Sequence, residues 1–354
     1  VNNRKNISIY QGLKEAGVKI VSEDWIRDYH NRYEQAREDW KEKVLEEAKK
    51  VENPFDAYAE NPFAMPLGRK VAEGDICGAD VAIYVISRIS GEGKDRRKVK
   101  GDYYLSEREE EDLRYLAEMN KPVILILNAG GPVELTDILE ETDNIKGILN
   151  ISQLGQEGGD ALADILLGKE VPGGKLTTTW ARRYEDYPAS EEYGYLNGNL
   201  EKEEYKEGIY VGYRYFDSFE KKVLFPFGFG LSYTSFEMKF CGMNTEEGKL
   251  RAEVQVTNTG NEYAGKEVVQ IYVTLPQTGL EKEYKRLAGF AKTRLLKTGE
   301  TQTLTVEIPQ KQLASFCEET HTWMIEKGRY GILAGNSSDK LELEAVLTVS
   351  DDAV

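Results

Sequence analysis

The chain has 354 residues, 40% of them hydrophobic, and a formal net charge of −16; it is long enough for two domains, and its acidity, with basic residues scattered among acids, excludes a nucleic-acid partner. No run approaches the roughly 20 apolar residues of a membrane-spanning helix, and Cys77, Cys241 and Cys317 are too widely spaced to suggest a thiolate zinc site or a disulfide framework. With only His30 and His321 available, a multi-histidine metal site or a Ser-His hydrolase is disfavoured; no metal or cofactor is expected, and any catalysis falls to carboxylates.

Val1 opens into Asn2-Asn3-Arg4-Lys5 with neither an initiator Met nor a signal peptide, so the start reads as a cut through a longer protein. Residues 6 to 17 put apolar side chains on one helical face and end at Gly17; Val18 to Val21 reads as a short strand. Residues 24 to 52 are charged at helical spacing, an exposed excursion that Asn53-Pro54-Phe55 and Asn61-Pro62-Phe63 interrupt as loop punctuation. Val81 to Ile86 is a continuous apolar run of strand length, the pattern of a strand covered on both faces. Ser106 then caps a helix, with Glu109 at the capping-box position. Two more strand-like runs follow, Val123 to Leu127 and Ile145 to Ile151, alternating with helical stretches, the last from Gln156 to Leu167. The fold class expected is therefore α/β, a mainly parallel sheet sandwiched by helices, with its working edge at the carboxyl ends of the strands.

Trp180 to Tyr233 has no clean periodicity and reads as an ordered linker rich in Tyr, Gly, Glu and Phe. Beyond Lys249 the period becomes two, in Leu250 to Thr257, Val268 to Val273, Arg286 to Thr293, Gln302 to Ile308, Gly328 to Ala334 and Leu341 to Val349. Short strands at this spacing indicate an all-β immunoglobulin-like sandwich. The expected domains are 1–179, an α/β sandwich; 180–235, the linker; and 236–354, the β-sandwich.

The chemistry is sought after the first apolar strand, where Ser90-Gly91-Glu92-Gly93-Lys94-Asp95-Arg96 sets one carboxylate between two glycines. Flanking glycines free the backbone to project Glu92 from the carboxyl edge of the sheet, where a general acid needs partial desolvation to raise its pKa. By itself this pattern also fits a solvated surface turn.

The run Ser-Gly-Glu-Gly-x-Asp-Arg resembles the acid/base loop of family 3 glycoside hydrolases, many of them β-glucosidases. Further pieces match in order: Lys121-Pro122-Val123 through Asn128-Ala129-Gly130-Gly131-Pro132, Gly155-Gln156-Glu157-Gly158-Gly159, Gly174-Lys175-Leu176, Tyr205 to Tyr215, and Phe225 to Thr234. Val256 to Gly260 and Gly265 to Val268 resemble that family's fibronectin type III-like domain. The resemblance implies three parts, a (β/α) barrel, an α/β sandwich and the β domain, of which the barrel is not recognised in this chain. It also implies that Glu92 is the catalytic acid/base, that an Asp nucleophile comes from the barrel, and that this chain alone is inactive. Ser22-Glu23-Asp24-Trp25 is superficially like the Ser-Asp-Trp nucleophile motif but sits in the wrong place and is rejected.

Asp95 and Arg96 are expected to support the acid/base loop, as an ion pair that pins it or through the effect of the Arg96 cation on the Glu92 pKa. Ser152-Gln153-Leu154 and Thr177 depart from the family pattern and weaken any transfer of substrate preference. Expected partners are a β-linked glucoside or related oligosaccharide and the barrel, with no nucleic acid or membrane; a homo-oligomer through the β domain stays open, and the location expected is cytoplasmic. The alternative is a non-catalytic carbohydrate-binding or assembly module. A nucleotide site at Asn128 to Pro132 is disfavoured, because the G-x-G-x-x-G spacing is absent and Pro132 removes an amide.

Overall fold

The computed structural model describes residues 6–88, 96–193, 201–202, 204–246 and 249–353 and divides into two compact units, Val1–Ala163 and Asp164–Val354.

In the first unit α1 (Ile9–Glu15) is started by Ser8, whose hydroxyl accepts from Gln11 N at 3.1 Å, and the chain turns out of it at Gly17 with φ +89°. Val18 to Val21, expected as a strand, pairs with no strand among the described residues. A ladder needs a neighbour as well as a β-prone sequence.

The charged excursion is α2 (Glu23–Ala48), which buries no residue fully. Its aromatic stripe packs instead on the returning chain, Tyr33 on Phe63 and Trp40 on Tyr58 and Phe63 at 5.6 to 5.9 Å. Asn53-Pro54, read as loop punctuation, starts α3 (Pro54–Glu60): Asn53 Oδ1 caps Phe55 N at 3.1 Å and Pro54 occupies the first turn, where no amide is needed. The short α4 (Glu73–Ile76) leads into the sheet.

Strands β1 (Ala82–Ser87), β2 (Val123–Asn128) and β3 (Ile145–Asn150) pair in parallel in the order β1-β2-β3. In β2, Leu125, Ile126 and Leu127 are all at most 1% exposed, as expected for a strand covered on both faces. β1 is less covered than its apolar run suggested: Val81 and Val85 are 39% and 37% exposed, since among the described residues it has β2 as its one neighbour. Helices α5 (Glu107–Glu118) and α6 (Thr136–Glu141) make the crossovers. The expected capping box is present, Ser106 Oγ accepting from Glu109 N and Glu109 Oε2 from Ser106 N.

After β3, helix α7 (Gly158–Leu166) begins two residues later than expected. Gly158-Gly159 has a packing reason. A Cβ on Gly159 would lie 2.1 Å from Ser8 O, and one on Gly12 would lie 2.2 Å from the Gly159 carbonyl, so the backbones of α1 and α7 touch.

In the second unit the linker contains β4 (Trp180–Ala181), α8 (Tyr213–Ser218) and β5 (Val223–Phe225), β4 pairing with β5. Its aromatic residues serve largely as packing: Phe216 is buried, and Tyr213 stacks near Phe227 and Tyr272 and accepts from Leu287 N at 2.9 Å. Gly174-Lys175-Leu176 and Phe227-Gly228-Phe229, far apart in sequence, meet through reciprocal backbone bonds at 2.8 Å between Leu176 and Gly228/Phe229. Lys175 then pairs with Glu267 at 2.8 Å.

The sandwich is formed by β6 (Phe236–Glu246), β7 (Lys249–Asn258), β8 (Val268–Thr274), β9 (Lys285–Lys292), β10 (Thr301–Ile308), β11 (Ser315–Cys317), β12 (Thr322–Met324), β13 (Gly328–Gly335) and β14 (Leu341–Val349). One antiparallel sheet runs β10-β7-β6, the other β14-β13-β8-β9, and β11-β12 is a separate hairpin. Alternation supplies the core: Ala252, Val254 and Val256 of β7 and Leu304, Val306 and Ile308 of β10 cluster with Val269, Ile271 and Val273 of β8 and Ile332 of β13. Fold class and order of architectures are as the sequence indicated. Among the described residues no helix is long and apolar enough to cross a membrane.

Candidate active site

Because β1, β2 and β3 are parallel, with Ser87 opposite Asn128 and Leu127 opposite Asn150, the segments that follow them leave the same edge of the sheet. Residues 89–95 follow β1. Glu92 and Asp95 lie outside the described residues. Arg96, Arg88 and the segments after β2 and β3 are described.

Arg88, the first residue past β1, is 6% exposed. A buried guanidinium requires near-complete satisfaction, and this one has it. It makes a two-pronged ion pair with Glu109, both bonds at 2.7 Å, and donates to the carbonyls of Asp102 at 2.7 Å and Ser87 at 2.9 Å. Glu109 therefore closes the cap of α5 and neutralises Arg88 with the same carboxylate.

Arg96 was expected to act beside Asp95; its described partner is Asp102. Arg96 Nε pairs with Asp102 Oδ1, Arg96 Nη2 donates to the Asp102 carbonyl at 2.6 Å, and Arg97 N donates to Asp102 Oδ2 at 2.7 Å. The Arg96 guanidinium also lies over the segment after β2, where a Cβ on Gly131 would stand 3.8 Å from Nη1.

After β3 the backbone is left-handed at two consecutive non-glycine residues, Ser152 at φ 46° and Gln153 at φ 58°. Such a conformation costs about 1–2 kcal/mol per residue. It turns the chain so that Gln153 Nε2 donates to the Arg88 carbonyl at 3.0 Å. Between β1 and β2, Asn128 Nδ2 reaches Ser87 Oγ at 3.3 Å.

Arg88, Asp102, Glu109 and Gln153 were not foreseen as site residues. A signal for Asp102 exists in the sequence: it is the one carboxylate between Arg96 and Ser106, after the cations Arg96, Arg97, Lys98 and Lys100. The other residues considered fall elsewhere. Asp24 is an exposed partner of Arg27 at the start of α2, and Trp25 donates to Arg69 O at 3.1 Å. Gln156 accepts from Ile7 N at 2.8 Å through its carbonyl.

Burial perturbs two further groups of this unit, Asp112 and Tyr84. Burial pushes the Asp112 carboxyl above the ordinary aspartate range while Val71 N and Tyr84 OH donate to it at 2.9 and 3.0 Å; burial likewise raises the Tyr84 hydroxyl. A cavity of about 420 Å³ beside them, lined by Lys70, Glu111, Asp112, Arg114, Tyr115 and Glu118, includes none of the four unforeseen residues. Among the described residues no three His, Cys, Asp or Glu side chains converge as metal ligands would.

A parallel sheet with a polar carboxyl edge, followed by a sandwich of two antiparallel sheets, defines a two-part α/β plus β architecture. Residues 2–233 match the glycosyl hydrolase family 3 C-terminal domain and residues 267–338 the fibronectin type III-like domain. The chain belongs to glycosyl hydrolase family 3.

It is 39% identical to β-glucosidase A of Butyrivibrio fibrisolvens over 73% of this chain and 36% of that protein. Over 95% of this chain and 34% of the relative, it is 35% identical to a β-glucosidase of Ruminococcus albus. The chain thus spans about a third of the length of these curated relatives. The structure of β-glucosidase 3B from Thermotoga neapolitana in complex with α-D-glucose superposes with a TM-score of 0.81 at 37% identity, covering 100% of this chain and 48% of that one.

Proposed function

We propose that this chain is the acid/base-bearing portion of a retaining β-glucosidase, with Glu92 as the acid/base and an Asp nucleophile supplied by a barrel domain. The observation that carries the reading is positional: in a chain of this family Gly91-Glu92-Gly93 follows β1 in sequence, between Arg88 and Arg96, which are held by ion pairs to Glu109 and Asp102. The family relatives named as β-glucosidases, and the glucose complex of one of them, favour a terminal β-linked glucoside as substrate.

In the first step the Glu92 carboxyl gives its proton to the glycosidic oxygen as the bond to the anomeric carbon breaks and the barrel Asp bonds to that carbon. In the second, the Glu92 carboxylate takes a proton from water, the water oxygen bonds to the anomeric carbon, and the Asp leaves. Retention requires the two carboxyl groups roughly 5–5.5 Å apart, so the barrel must bring its Asp against this sheet edge.

In the complete enzyme, chain plus barrel, Glu92→Gln is expected to cripple hydrolysis of cellobiose, whose leaving group needs a proton, with azide restoring turnover of an activated aryl glucoside. The chain alone is expected to leave a nitrophenyl glucoside untouched. Undiminished cellobiose hydrolysis by Glu92→Gln would end the assignment.

A further inference from the structure

In the hairpin β11-β12, Phe316 stands directly opposite Trp323 in the register, and the two rings lie 5.6 Å apart with their planes at 63°. Alternation decides which way they face. Ser315 and Cys317, the neighbours of Phe316 along β11, are each 6% exposed, whereas Phe316 and Trp323 are 45% and 61% exposed. The result is a corner of two aromatic rings on the surface of the second unit, one ring a floor and the other a wall. We infer that this corner is a carbohydrate-binding platform that takes a β-linked gluco-oligosaccharide; the choice of sugar rests on the substrate class proposed above.

A cross-strand aromatic pair also stabilises the strands that carry it, and a two-stranded hairpin by itself is marginal. This hairpin, however, is already held at its root. The buried Arg286 donates to the Ala314 carbonyl just before β11, the buried Lys282 pairs with Glu326 just after β12, and Ile325 exchanges backbone bonds of 2.8 and 2.9 Å with Ala353. In the turn, Thr320 Oγ1 and Thr322 Oγ1 share a hydrogen bond of 2.8 Å. The rings are thus presented on a fixed support, which spares a ligand the cost of ordering them.

The size and charge of the corner select its occupant. Side chains of this kind offer about 150–250 Å² each, and at these exposures on the order of 250 Å² is left in all. That is far short of the roughly 800 Å² a side that a specific protein interface buries. Glu318 and Glu319, exposed in the turn beyond β11, repel a phosphate-bearing ligand, whether a nucleic acid or an anionic membrane. A neutral polyol meets neither obstacle. In β-linked glucose every ring substituent is equatorial, so both faces of the pyranose present C–H groups that suit the negative face of an aromatic ring. Its rim of hydroxyls has donors for the two carboxylates of the turn.

The test is a titration of the full chain, which by the reading above lacks a nucleophile and leaves the sugar intact, with cellohexaose. Of the four indole N–H signals in a nitrogen-correlated NMR spectrum, the one missing from Trp323→Phe identifies Trp323, and it should shift saturably. By calorimetry, Trp323→Ala should weaken binding roughly tenfold and Trp323→Phe, which keeps a ring, no more than about threefold. Should Trp323→Ala fail to fold, Phe316→Ala removes the other ring and should weaken binding about threefold to tenfold. A Trp323 signal that stays fixed up to about 10 mM cellohexaose, or an affinity that neither alanine variant lowers, overturns the inference. Self-association of the chain that Trp323→Ala abolishes would make the corner a contact for a second copy and overturn it equally. The catalytic assignment is read separately: a fully active Glu92→Gln in the complete enzyme sinks that assignment and leaves Trp323-dependent binding standing, whereas a crippled Glu92→Gln beside a fixed Trp323 signal sinks the platform alone.

Discussion

The carboxyl edge of the first unit and the interior of the β-sandwich are built on opposite principles. In the sandwich, position comes from apolar side chains at every second residue of β7 and β10, with Val254, Val256, Val306 and Ile308 at most 2% exposed. At the sheet edge, position comes from ion pairs, the buried Arg88 on Glu109 and the half-buried Arg96 on Asp102, and from a left-handed backbone at Ser152 and Gln153. Apolar packing is forgiving because many weak contacts share the load. A charge network is unforgiving, since each deletion strands a partner without water or counter-ion.

The sharpest way to break this contrast is to remove one charge. Glu109→Ala leaves Arg88, whose side chain is 5% exposed, without its carboxylate and also removes the acceptor of Ser106 N in the cap of α5. Losing one partner of a buried pair costs about 3–5 kcal/mol, so the first unit should melt markedly earlier in a thermal unfolding experiment. A change below 1 kcal/mol would show that water reaches Arg88 and that the edge is not built on buried charge.

The sandwich also contains charge clusters, and the one around Glu283 makes a control. Glu283 is 1% exposed; burial works to raise its pKa, but the hydrogen bonds and charge of Arg286, with help from Arg214, hold it below the ordinary glutamate range. A depressed folded pKa means stability present in full above the unfolded value near 4.3 and lost as pH falls through the folded value. Glu283→Gln should therefore cost about 2 kcal/mol at neutral pH, and the gap to the parent should close as the solution is acidified below pH 4.3. A gap independent of pH would mean that the carboxylate charge is not what Arg286 requires.

Against these, an apolar trim inside the sandwich should be mild. Ile271, fully buried in β8, loses one methylene in Ile271→Val, at about 1 kcal/mol. A cost as large as that of Glu109→Ala would erase the distinction between the two regions.

The same distinction explains what could be read from the sequence. Six sandwich strands were visible because alternation is local and repeats. β6 was missed because its own alternation, Phe236, Met238, Phe240, breaks at a bulge where the register shifts between Phe240 and Gly242, and Gly242 takes φ 141°. The hairpin β11-β12 has three residues per strand, too few to show a period. At the site, the capping box of Ser106 and Glu109 was legible from a spacing of three. That Glu109 would also bind Arg88, 21 residues away, was not, because only the fold brings them together. The Gly91-Glu92-Gly93 pattern stands out in the sequence, whereas the turn after β3 does not, since nothing in Ser152-Gln153 announces a left-handed backbone in the absence of glycine or asparagine.

That turn gives the smallest effect and the most direct test of how the edge is held. If the φ of 46° at Ser152 is strained, Ser152→Gly relieves about 1–2 kcal/mol in the folded state, offset by roughly 0.5–1 kcal/mol of extra freedom in the unfolded chain, for a net gain of up to about 1.5 kcal/mol in denaturant unfolding. Gln153→Gly relieves the same strain at φ 58° but forfeits the bond from Nε2 to the Arg88 carbonyl, worth about 1 kcal/mol, and should come out near neutral. The difference between the two glycine variants isolates that bond. If Gln153→Gly stabilises as much as Ser152→Gly, the side chain does not hold Arg88, and the strained turn has another cause.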